Sequence, residues 1–407
     1  MRVAILCSGY LPVLDGVTVS VAARVQRLAA RGHDVLLLAP RRADDLRRPA
    51  GLPDGVVFAG LPGAPFGAAA GDFNPGPAAH GVIEQALAAF GPDLIHVDEP
   101  ERLAWGIRRL PGVAFARRHG IPAVAFFHTN FVDYWGQGSP RLVPVLDPLK
   151  AMGWRLVTAL YNRFDATLVP SGQTHRRLVG FGLRNGVCGR FNGVDTARFS
   201  PSLRTPGYWG RNWGLPALDG RLVMIIAGRL TPDKGWASWG EALPALARRL
   251  GAGLGVVIAG DGSLRSHVEH LAARLPRAHV LGAVPHADLG ALLANADAYA
   301  TFSRCENASL AVYEALASGV PVIAPRAGGI PGQVRHGENG LLFEPGNVGD
   351  FVNQLARLME DKALAGRLGA TLRVEREMLD WEPAFEAWLD AVSRIAEEAG
   401  RGRRPPS

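Results

Sequence analysis

Short apolar runs rich in β-branched residues alternate with helical patterns along the whole chain, and this alternation constrains the fold more than any other feature. It is typical of βαβ units, in which helices cover the faces of a parallel sheet. The runs of the first half are 3–7, 35–39, 93–97, 123–127 and 166–169, and those of the second half are 222–227, 256–259, 279–281, 298–302 and 322–324. The sequence therefore predicts an α/β fold with two facing, doubly wound, Rossmann-like domains. Ligands of such sheets bind beyond the carboxyl ends of the strands, so we expect a cleft between the domains.

Two cores are expected because 407 residues are many for a single one. The stretch 201–220 is rich in Pro, Gly and Trp and lacks periodicity, which places the boundary there. We predict an N-terminal domain over 1–200 and a C-terminal domain over 201–380. Residues 381–407 are expected to form a helix that packs back on the first domain, followed by a basic tail. The breaker-rich stretch 51–81 is expected to be a lid or a mobile insertion on the surface.

Composition favours a cytoplasmic location. No apolar run reaches the roughly 20 residues that cross a bilayer, and the apolar start of the chain is too short for a signal peptide and indicates a buried strand. The three cysteines, Cys7, Cys188 and Cys305, lie far apart without metal-ligand spacing, which favours reduced thiols and no metal site. The net charge of +7 is a weak pointer to anionic substrates or a lipid surface.

The loop Leu14-Asp15-Gly16-Val17-Thr18 follows the first predicted strand and opens a helix. Gly16 would let the backbone approach a phosphate, and a helix N-terminus supplies N–H donors and partial positive charge. The alternative is an ordinary helix cap by Asp15 beside a glycine turn.

Two cations, Arg229 and Lys234, flank a tight turn that follows the first strand of the second half. Fixed cations suit a diphosphate whose negative charge grows as a bond to it breaks. A solvated basic loop is the alternative, but Arg229 follows a buried strand directly, which favours the functional interpretation.

Glu306 and Glu314 lie eight residues apart at the start of a predicted helix, a little over two turns, so both can face the same cleft. One carboxylate could accept hydrogen bonds from sugar hydroxyls and the other from a ribose. The backbone N–H groups of four residues between them would suit phosphate: Asn307, Ala308, Ser309 and Leu310. Glutamates at this spacing also occur by chance on solvated helices.

His128 ends a predicted strand of the first domain. An isolated histidine is usually structural, but one at the carboxyl end of a strand is a candidate to hydrogen-bond a transferred sugar.

Taken together, these segments resemble retaining glycosyltransferases of GT-B fold, the family 4 type with the E-x7-E motif, which includes bacterial mannosyl- and glucosyltransferases. The matching segments are Gly16-Val17-Thr18, Phe127-His128-Thr129, 192–199, Gly228-Arg229-Leu230, Lys234-Gly235, Gly260-Asp261-Gly262, 306–322, Gly328-Gly329-Ile330-Pro331 and 339–342. These segments cover nearly the whole chain, and their order and spacing together make the resemblance specific.

The resemblance implies a metal-independent hexosyltransferase with a UDP- or GDP-linked sugar as donor and no further cofactor. Arg229 and Lys234 would hold the diphosphate, which Gly16 would approach. His128 and Glu306 would contact the donor sugar, and Glu314 the ribose. The anomeric configuration would be kept by a front-face path in which the departing phosphate oxygen takes the acceptor's proton.

Two positions depart from the family pattern. A bulky apolar residue and a glycine are common where this chain has Ala308-Ser309, which puts the sugar pocket in doubt. Many members also carry a carboxylate at the position of Gly332.

The acceptor is the open question. We expect the acidic residues Asp98, Glu99 and Asp133, with Asp15, to bind a small polar acceptor such as an amino sugar or aminocyclitol. The simpler account is capping of the helix that begins at Pro100.

A membrane-lipid acceptor is the rival hypothesis. Arg108, Arg109, Arg117 and Arg118, with Leu110 and Phe115, could form a basic interfacial patch, although Pro111-Gly112 interrupts any helix there. The apolar stretch 142–160 fits a buried helix better than a membrane anchor.

Other classes of protein fit less well. A dinucleotide-dependent oxidoreductase would need the Gly-x-Gly-x-x-Gly pattern, which the loop after the first strand lacks. A metal-dependent glycosyltransferase with a single nucleotide-binding domain should show an Asp-x-Asp pair, which the chain lacks. A noncatalytic nucleotide-sugar-binding protein stays open, because binding residues look alike in both; nothing points to nucleic acid as a partner.

Overall fold

The computed structural model describes residues 1–10, 15–66, 72–135, 143–275 and 277–401. The chain forms two compact units. Unit 1 comprises Met1–Val132, Pro144–Asn192 and Ala384–Ser407, and unit 2 comprises Asp133–Val143 and Gly193–Pro383. The division after Asn192 falls a few residues before the boundary predicted at 200–201, and the last helix joins unit 1 from Ala384 onward. The expected basic tail beyond Arg401 lies outside the described residues.

Unit 1 is built on an eight-stranded sheet of order β4-β3-β2-β1-β5-β6-β7-β8, parallel except for the pair β3 and β4. Its strands are β1 Arg2–Leu6, β2 Asp34–Arg42, β3 Val57–Pro65, β4 Phe73–Pro75, β5 Leu94–Asp98, β6 Ala123–Phe126, β7 Ala166–Val169 and β8 Gly186–Cys188. Its helices are α1 Gly16–Ala30, α2 Ala79–Phe90, α3 Pro100–Ile107, α4 Val113–His119, α5 Val143–Tyr161 and α6 Gly172–Gly180. Strand order reverses at β1, which pairs with both β2 and β5, so the carboxyl ends of β1 and β5 lie at a topological switch point.

The prediction of a surface lid over 51–81 is wrong for the described part of that stretch. Strand β3 pairs in parallel with β2, and β4 adds to β3 in antiparallel. The glycines and prolines that suggested a loop lie inside an edge region of the sheet, where breakers are tolerated. Gly60 shows one reason for them, because a Cβ there would lie 2.7 Å from the carbonyl oxygen of Leu46. Residues 67–71 lie outside the described residues.

Unit 2 contains a six-stranded parallel sheet of order β11-β10-β9-β12-β13-β14. The strands are β9 Leu222–Ala227, β10 Leu254–Ala259, β11 Ala278–Gly282, β12 Ala298–Ala300, β13 Val322–Pro325 and β14 Gly340–Phe343. The helices are α7 Tyr208–Trp213, α8 Trp236–Leu250, α9 Arg265–Ala272, α10 His286–Ala294, α11 Leu310–Ala317, α12 Val348–Glu360 and α13 Lys362–Glu375, and α14 Trp381–Arg401 follows. Because β9 and β12 are neighbours, the loops that follow them lie at one edge of the sheet.

Apolar side chains are buried on both faces of each sheet, as in a doubly wound fold. In unit 1 one of these cores includes Phe385 and Trp388 of α14. In unit 2 four large rings, Trp239, Phe302, Phe343 and Phe351, contact one another under β12 and β14. Among the helices that the structure describes, none is long and apolar enough to cross a bilayer.

Candidate active site

The loop after β9 holds Lys234 between two carboxylates. Its Nζ lies 2.7 Å from Oε1 of Glu306 and 3.6 Å from Oδ2 of Asp233. Glu306 belongs to the loop after the neighbouring strand β12, so the sheet order brings together two residues that the sequence singled out separately. Arg229, with more than half of its side chain exposed, lies 3.4 Å from Asp233.

Opposite charge keeps both members of the central pair ionised. Burial alone would lower the pKa of Lys234, but Glu306 and Asp233 outweigh it and raise that pKa above its ordinary value. Burial would likewise raise the pKa of Glu306, but Lys234 and a hydrogen bond from Ser303 lower it. The loop therefore presents a fixed cation beside a fixed anion at the edge of the sheet.

Close backbone contacts fix this loop and its neighbour. The Gly329 N–H donates to the carbonyl oxygen of Glu306 at 2.7 Å. Gly328 has a φ of +57°, and a Cβ there would lie 2.4 Å from the same oxygen, so this position requires glycine. The Gly-Gly-x-Pro segment thus supports the backbone from which the Glu306 side chain projects.

The start of α11 is arranged differently from the prediction that four backbone N–H groups there suit phosphate. The N–H of Ser309 donates to Oε1 of Gln333 at 2.9 Å, and Nε2 of Gln333 donates to the Ser309 carbonyl at 2.8 Å. Asn307 is buried. For Ser309 the prediction is therefore wrong, because its N–H already has a side-chain partner. Gln333 follows Gly332, where many family members carry a carboxylate.

Glu314, on α11, contacts a histidine that sequence reasoning missed. Nε2 of His286, at the start of α10, lies 3.1 Å from Oε1 of Glu314. Nη1 of Arg198 lies 2.7 Å from Nδ1 of the same imidazole. Only the position of His286 directly after the β11 loop could have indicated a role, since its partner lies 28 residues away.

In unit 1 His128 is held by Asp98. Its Nε2 lies 2.6 Å from Oδ1 of Asp98, and its ring stacks on Phe126 with centroids 4.2 Å apart. Asp98 is fully buried and also accepts from Nη1 of Arg24 at 3.2 Å, while His96 Nε2 lies 3.3 Å from it. Burial would raise the pKa of Asp98, but the two histidines and Arg24 hold it well below its ordinary range.

The expectation that Asp98 contacts the acceptor is therefore corrected. Its carboxylate faces inward, toward His128, Arg24 and His96, because the strand β5 extends through Asp98 and buries that side chain. Arg24 and His96 were not predicted; a charged residue within the buried face of α1 is the signal that could have revealed Arg24.

Glu99 turns the chain from β5 into α3 with a φ of +49°, which is unusual for a residue other than glycine. Its carboxylate accepts hydrogen bonds from the hydroxyls of Ser8 and Thr129. Glu99 is the N-cap residue of α3 and Pro100 begins the helix, as the simpler account predicted, but the Glu99 side chain makes no capping hydrogen bond. Ser8, Glu99 and Thr129 follow β1, β5 and β6, and they form a buried polar cluster at the switch point. Nearby, the Tyr161 hydroxyl donates to Glu101, and burial together with Glu99 raises the pKa of Glu101 to about 8.

Asp15 caps α1, as the simpler account of its loop predicted. Its Oδ1 accepts from the Thr18 N–H at 2.8 Å, and the Thr18 hydroxyl oxygen accepts from the Asp15 N–H at 3.0 Å. Gly16 is exposed at the first position of the helix, and Leu14 lies outside the described residues. Asp133 belongs to unit 2, in a 3-10 turn over Phe131–Tyr134, so the four acidic residues predicted for the acceptor do not form one cluster within either unit.

The predicted basic patch is not a uniform surface. Phe115 is buried and Arg118 is paired with Glu84. Helix α5, expected to be buried, instead exposes an apolar stripe at i, i+3 and i+7: Leu149, Met152 and Leu156, at 45%, 55% and 65%. Residue 142 lies outside the described residues.

Two family models match the chain. Glycosyltransferase Family 4 matches residues 14–198, and Glycosyl transferases group 1 matches residues 213–373. A GDP-mannose-dependent alpha-mannosyltransferase of Mycolicibacterium smegmatis is 33% identical over 356 residues, which make up 84% of this chain and 84% of that protein.

Solved glycosyltransferase structures share the fold. Sucrose-phosphate synthase of Thermosynechococcus elongatus superposes with a TM-score of 0.76 at 21% identity, over 97% of this chain and 99% of that one. Anabaena HepE in complex with UDP and glucose superposes with a TM-score of 0.72 at 19% identity, over 97% and 100% of the two chains. The two α/β sheets are thus those of the GT-B fold, and the chain is a nucleotide-sugar-dependent hexosyltransferase that belongs to glycosyltransferase family 4.

Proposed function

We propose that this enzyme transfers a hexose from a nucleoside diphosphate sugar to a hydroxyl group with retention of anomeric configuration, and that unit 2 holds the donor. The observation that carries the proposal is the fixed cation after β9, Lys234, 2.7 Å from Glu306 and with a raised pKa. A permanently charged ammonium at the carboxyl edge of a parallel sheet stabilises a departing diphosphate as its charge grows.

Each proposed donor contact follows from chemistry and from the family resemblance. Lys234 and the exposed Arg229 neutralise the diphosphate, so that no metal ion or further cofactor is needed. Glu306 accepts hydrogen bonds from sugar hydroxyls, and Glu314 accepts them from the ribose. Gly16 and His128 of unit 1 remain proposed contacts of the diphosphate and the transferred sugar.

Retention requires that the acceptor attacks on the face that the diphosphate leaves. The bond between C1 of the sugar and the phosphate oxygen breaks, and C1 bonds to the acceptor oxygen. The acceptor's hydroxyl proton passes to the departing phosphate oxygen, so no carboxylate nucleophile takes part. NMR of the product tests this step: an α-donor should yield an α-linkage, and a β-linkage would contradict it.

GDP-mannose is the proposed donor, because the Mycolicibacterium relative is by its name a GDP-mannose-dependent alpha-mannosyltransferase. A thermal-shift panel of GDP- and UDP-linked sugars should show the largest stabilisation with GDP-mannose, since a ligand that binds the native state raises its apparent stability. A larger shift with a UDP sugar would replace this donor.

Lys234→Met tests the diphosphate assignment. Transfer should fall on the order of 10³-fold, as when one donor to a developing charge is lost. Lys362→Met, an exposed lysine at the start of α13, is the matched control and should leave transfer unchanged. Full activity in Lys234→Met would overturn the assignment, whereas binding without transfer or hydrolysis in the wild type would favour the noncatalytic alternative.

A small polar acceptor is the first candidate, with the cluster of Ser8, Glu99 and Thr129 as its contact. Ligands of doubly wound sheets bind at the switch point, where these side chains lie. An anionic cluster would favour a cationic amino sugar or aminocyclitol. Glu99→Gln should therefore reduce the preference for an amino over a matched hydroxy acceptor, while an unchanged preference would remove Glu99 from the acceptor site.

A membrane-lipid acceptor is the second candidate, and the exposed apolar stripe of α5 favours it. Arg155 is exposed on the same helix and Arg163 just after its end, and both would suit anionic headgroups. The protein should then sediment with phosphatidylglycerol vesicles at low salt and be released at high salt. Met152→Ser/Leu156→Ser should abolish this, whereas Val374→Ser, 82% exposed on α13, should not.

The cysteines support a cytoplasmic location as part of the same proposal. None of the described cysteines, Cys7, Cys188 and Cys305, is in a disulfide bond, as is usual in a reducing compartment. Metal independence has its own test, because activity should survive excess EDTA; loss that Mg²⁺ restores would contradict it.

A further inference from the structure

Three polar side chains form a chain of contacts in unit 2 that ends on Glu314. Nη1 of Arg198 lies 2.7 Å from Nδ1 of His286, and Nε2 of His286 lies 3.1 Å from Oε1 of Glu314. The imidazole also meets the edge of the Phe199 ring, with centroids 5.5 Å apart. The three residues come from the segment before α7, from α10 and from α11, so the contact depends on the tertiary fold.

The two contacts together fix the protonation of the imidazole. A guanidinium can only donate hydrogen bonds, so Nδ1 of His286 must accept and carries no proton. The single ring proton of the neutral imidazole is then on Nε2, where it points at Glu314. An imidazolium would place a proton on Nδ1 against Arg198, so this geometry selects the neutral Nε2–H form.

A neutral donor has a specific effect on Glu314. It fixes the rotation of the carboxylate through Oε1 and leaves the negative charge in place. A lysine or arginine in contact with the same carboxylate would neutralise that charge. A carboxylate that is both anionic and fixed in orientation is a good acceptor for hydroxyl groups. Its side chain is 11% exposed, so little rotational freedom remains once His286 is in place.

We propose that His286, with Arg198 behind it, positions Glu314 to accept the hydroxyl groups of a ribose, and that this chain of contacts makes the site selective for ribonucleoside over deoxyribonucleoside diphosphates. This inference rests on the proposed function, which assigns Glu314 to the ribose. Neither His286 nor Arg198 contacts the ligand in this scheme; both are positioning residues.

Calorimetry with GDP and 2′,3′-dideoxy-GDP tests the proposal, with the UDP pair in their place if the donor panel selects UDP. His286→Phe keeps the ring contact but removes the donor, and it should weaken GDP binding about tenfold, the value of one hydrogen bond to a charged group. Binding of dideoxy-GDP should change less than about twofold. His286→Gln can donate from nearly the same point and should restore most of the loss.

A matched control lies at the end of α9, where Nη2 of Arg274, just after the helix, is 3.0 Å from Nε2 of the exposed His270. His270→Phe disturbs a comparable arginine–histidine contact and should leave both affinities unchanged. Equal weakening of GDP and dideoxy-GDP by His286→Phe would indicate a general structural role and overturn the proposal.

Glu314→Gln distinguishes a failure of the ribose assignment from a failure of the positioning role of His286. If it leaves GDP affinity unchanged, the ribose assignment fails and the positioning role fails with it. If it weakens GDP binding while His286→Phe does not, only the positioning role is overturned.

The ring nitrogens provide a readout that does not depend on ligand. ¹⁵N NMR of histidine-labelled protein should show His286 protonated on Nε2, and Arg198→Met should admit the Nδ1–H form. A wild-type resonance protonated on Nδ1 would contradict the inference even if a variant failed to fold.

Discussion

Carboxylates follow the strands in both units, but their surroundings differ. In unit 1 Asp98 is fully buried and is surrounded by Arg24, His96 and His128. In unit 2 the side chains of Glu306 and Glu314 keep 17% and 11% exposure at the edge of the sheet, where Glu306 contacts Lys234 and Glu314 contacts His286.

This difference in surroundings distinguishes a carboxylate that positions a neighbouring side chain from one that can bind a ligand. A buried carboxylate with several partners has lost its water, and removing a partner exposes the full desolvation cost. A carboxylate at the edge of a sheet can exchange water for a ligand's hydroxyl groups without disturbing the core. Asp98 is therefore better placed to hold His128 than to bind an acceptor, whereas Glu306 and Glu314 can bind a donor.

Among the variants proposed here, Arg24→Met should destabilise the protein most, through the buried surroundings of Asp98. It leaves Asp98 buried without its cation and removes a guanidinium packed 4.9 Å from the Phe126 ring and 5.3 Å from the Trp388 ring. Breaking a buried pair costs roughly 3–5 kcal/mol. Hydrogen exchange in urea should show the loss in β5 of unit 1, whereas β10 of unit 2 should be unaffected.

Arg265→Met is the matched control. Arg265, at the exposed start of α9, pairs with Asp261 and Glu269, and solvent screening makes the contribution of such an ion pair to stability small. Comparable losses of stability in the two variants would contradict the burial of Asp98 and its difference from Glu306 and Glu314.

The apolar runs of the sequence predicted most of the strands but not all of them. Buried parallel strands such as β2 appear as continuous apolar runs. The edge strand β3 does not, because Gly60, Pro62 and Gly63 interrupt it where Leu46 and Asn74 pass close by. Strands β8 and β14, of three and four residues, were also not predicted.

In the candidate site, too, the sequence predicted single residues but not their contacts. Lys234 and Glu306 could each be predicted from their positions after strands, but their contact depends on β9 lying beside β12. The surroundings of Asp98 and Glu99 could not be predicted, because both side chains are buried against partners from other strands and helices, and the left-handed backbone of Glu99 has no sequence signal. Pairing over long sequence distances, as between His286 and Glu314, leaves no local signal.

Glu101 offers a pH-dependent test of burial in unit 1. Its pKa rises from 4.5 to about 8 through burial and the nearby Glu99, while the Tyr161 hydroxyl and Arg102 act in the opposite direction. Between these two values the folded state binds a proton that the unfolded chain has released. Stability should therefore fall as pH rises from about 5 to about 8, by up to roughly 1.4 kcal/mol per pH unit.

Glu101→Gln should remove most of that slope, because an amide cannot ionise. Glu84, on α2, forms a more exposed pair with Arg118, and Glu84→Gln should leave the slope of stability against pH unchanged. Exchange of β5 amides in urea at about pH 5, 6, 7 and 8 measures both; equal slopes in wild type and Glu101→Gln would mean that Glu101 titrates normally.

Gly328→Ala should have the smallest effect on stability of these variants, and it tests how the backbone of unit 2 places Glu306. Glu306 is placed there by backbone contact, and a methyl group 2.4 Å from its carbonyl oxygen must move that backbone. With φ at +57°, alanine should cost about 1–2 kcal/mol, and transfer should fall about tenfold as Glu306 shifts from Lys234.

Gly366→Ala is the control of opposite sign, because Gly366 lies exposed within α13 with open space around it and alanine should stabilise the helix by about 0.5–1 kcal/mol. Unfolding in urea and transfer rates measure both variants, and unchanged transfer in Gly328→Ala would show that the placement of Glu306 does not depend on this glycine.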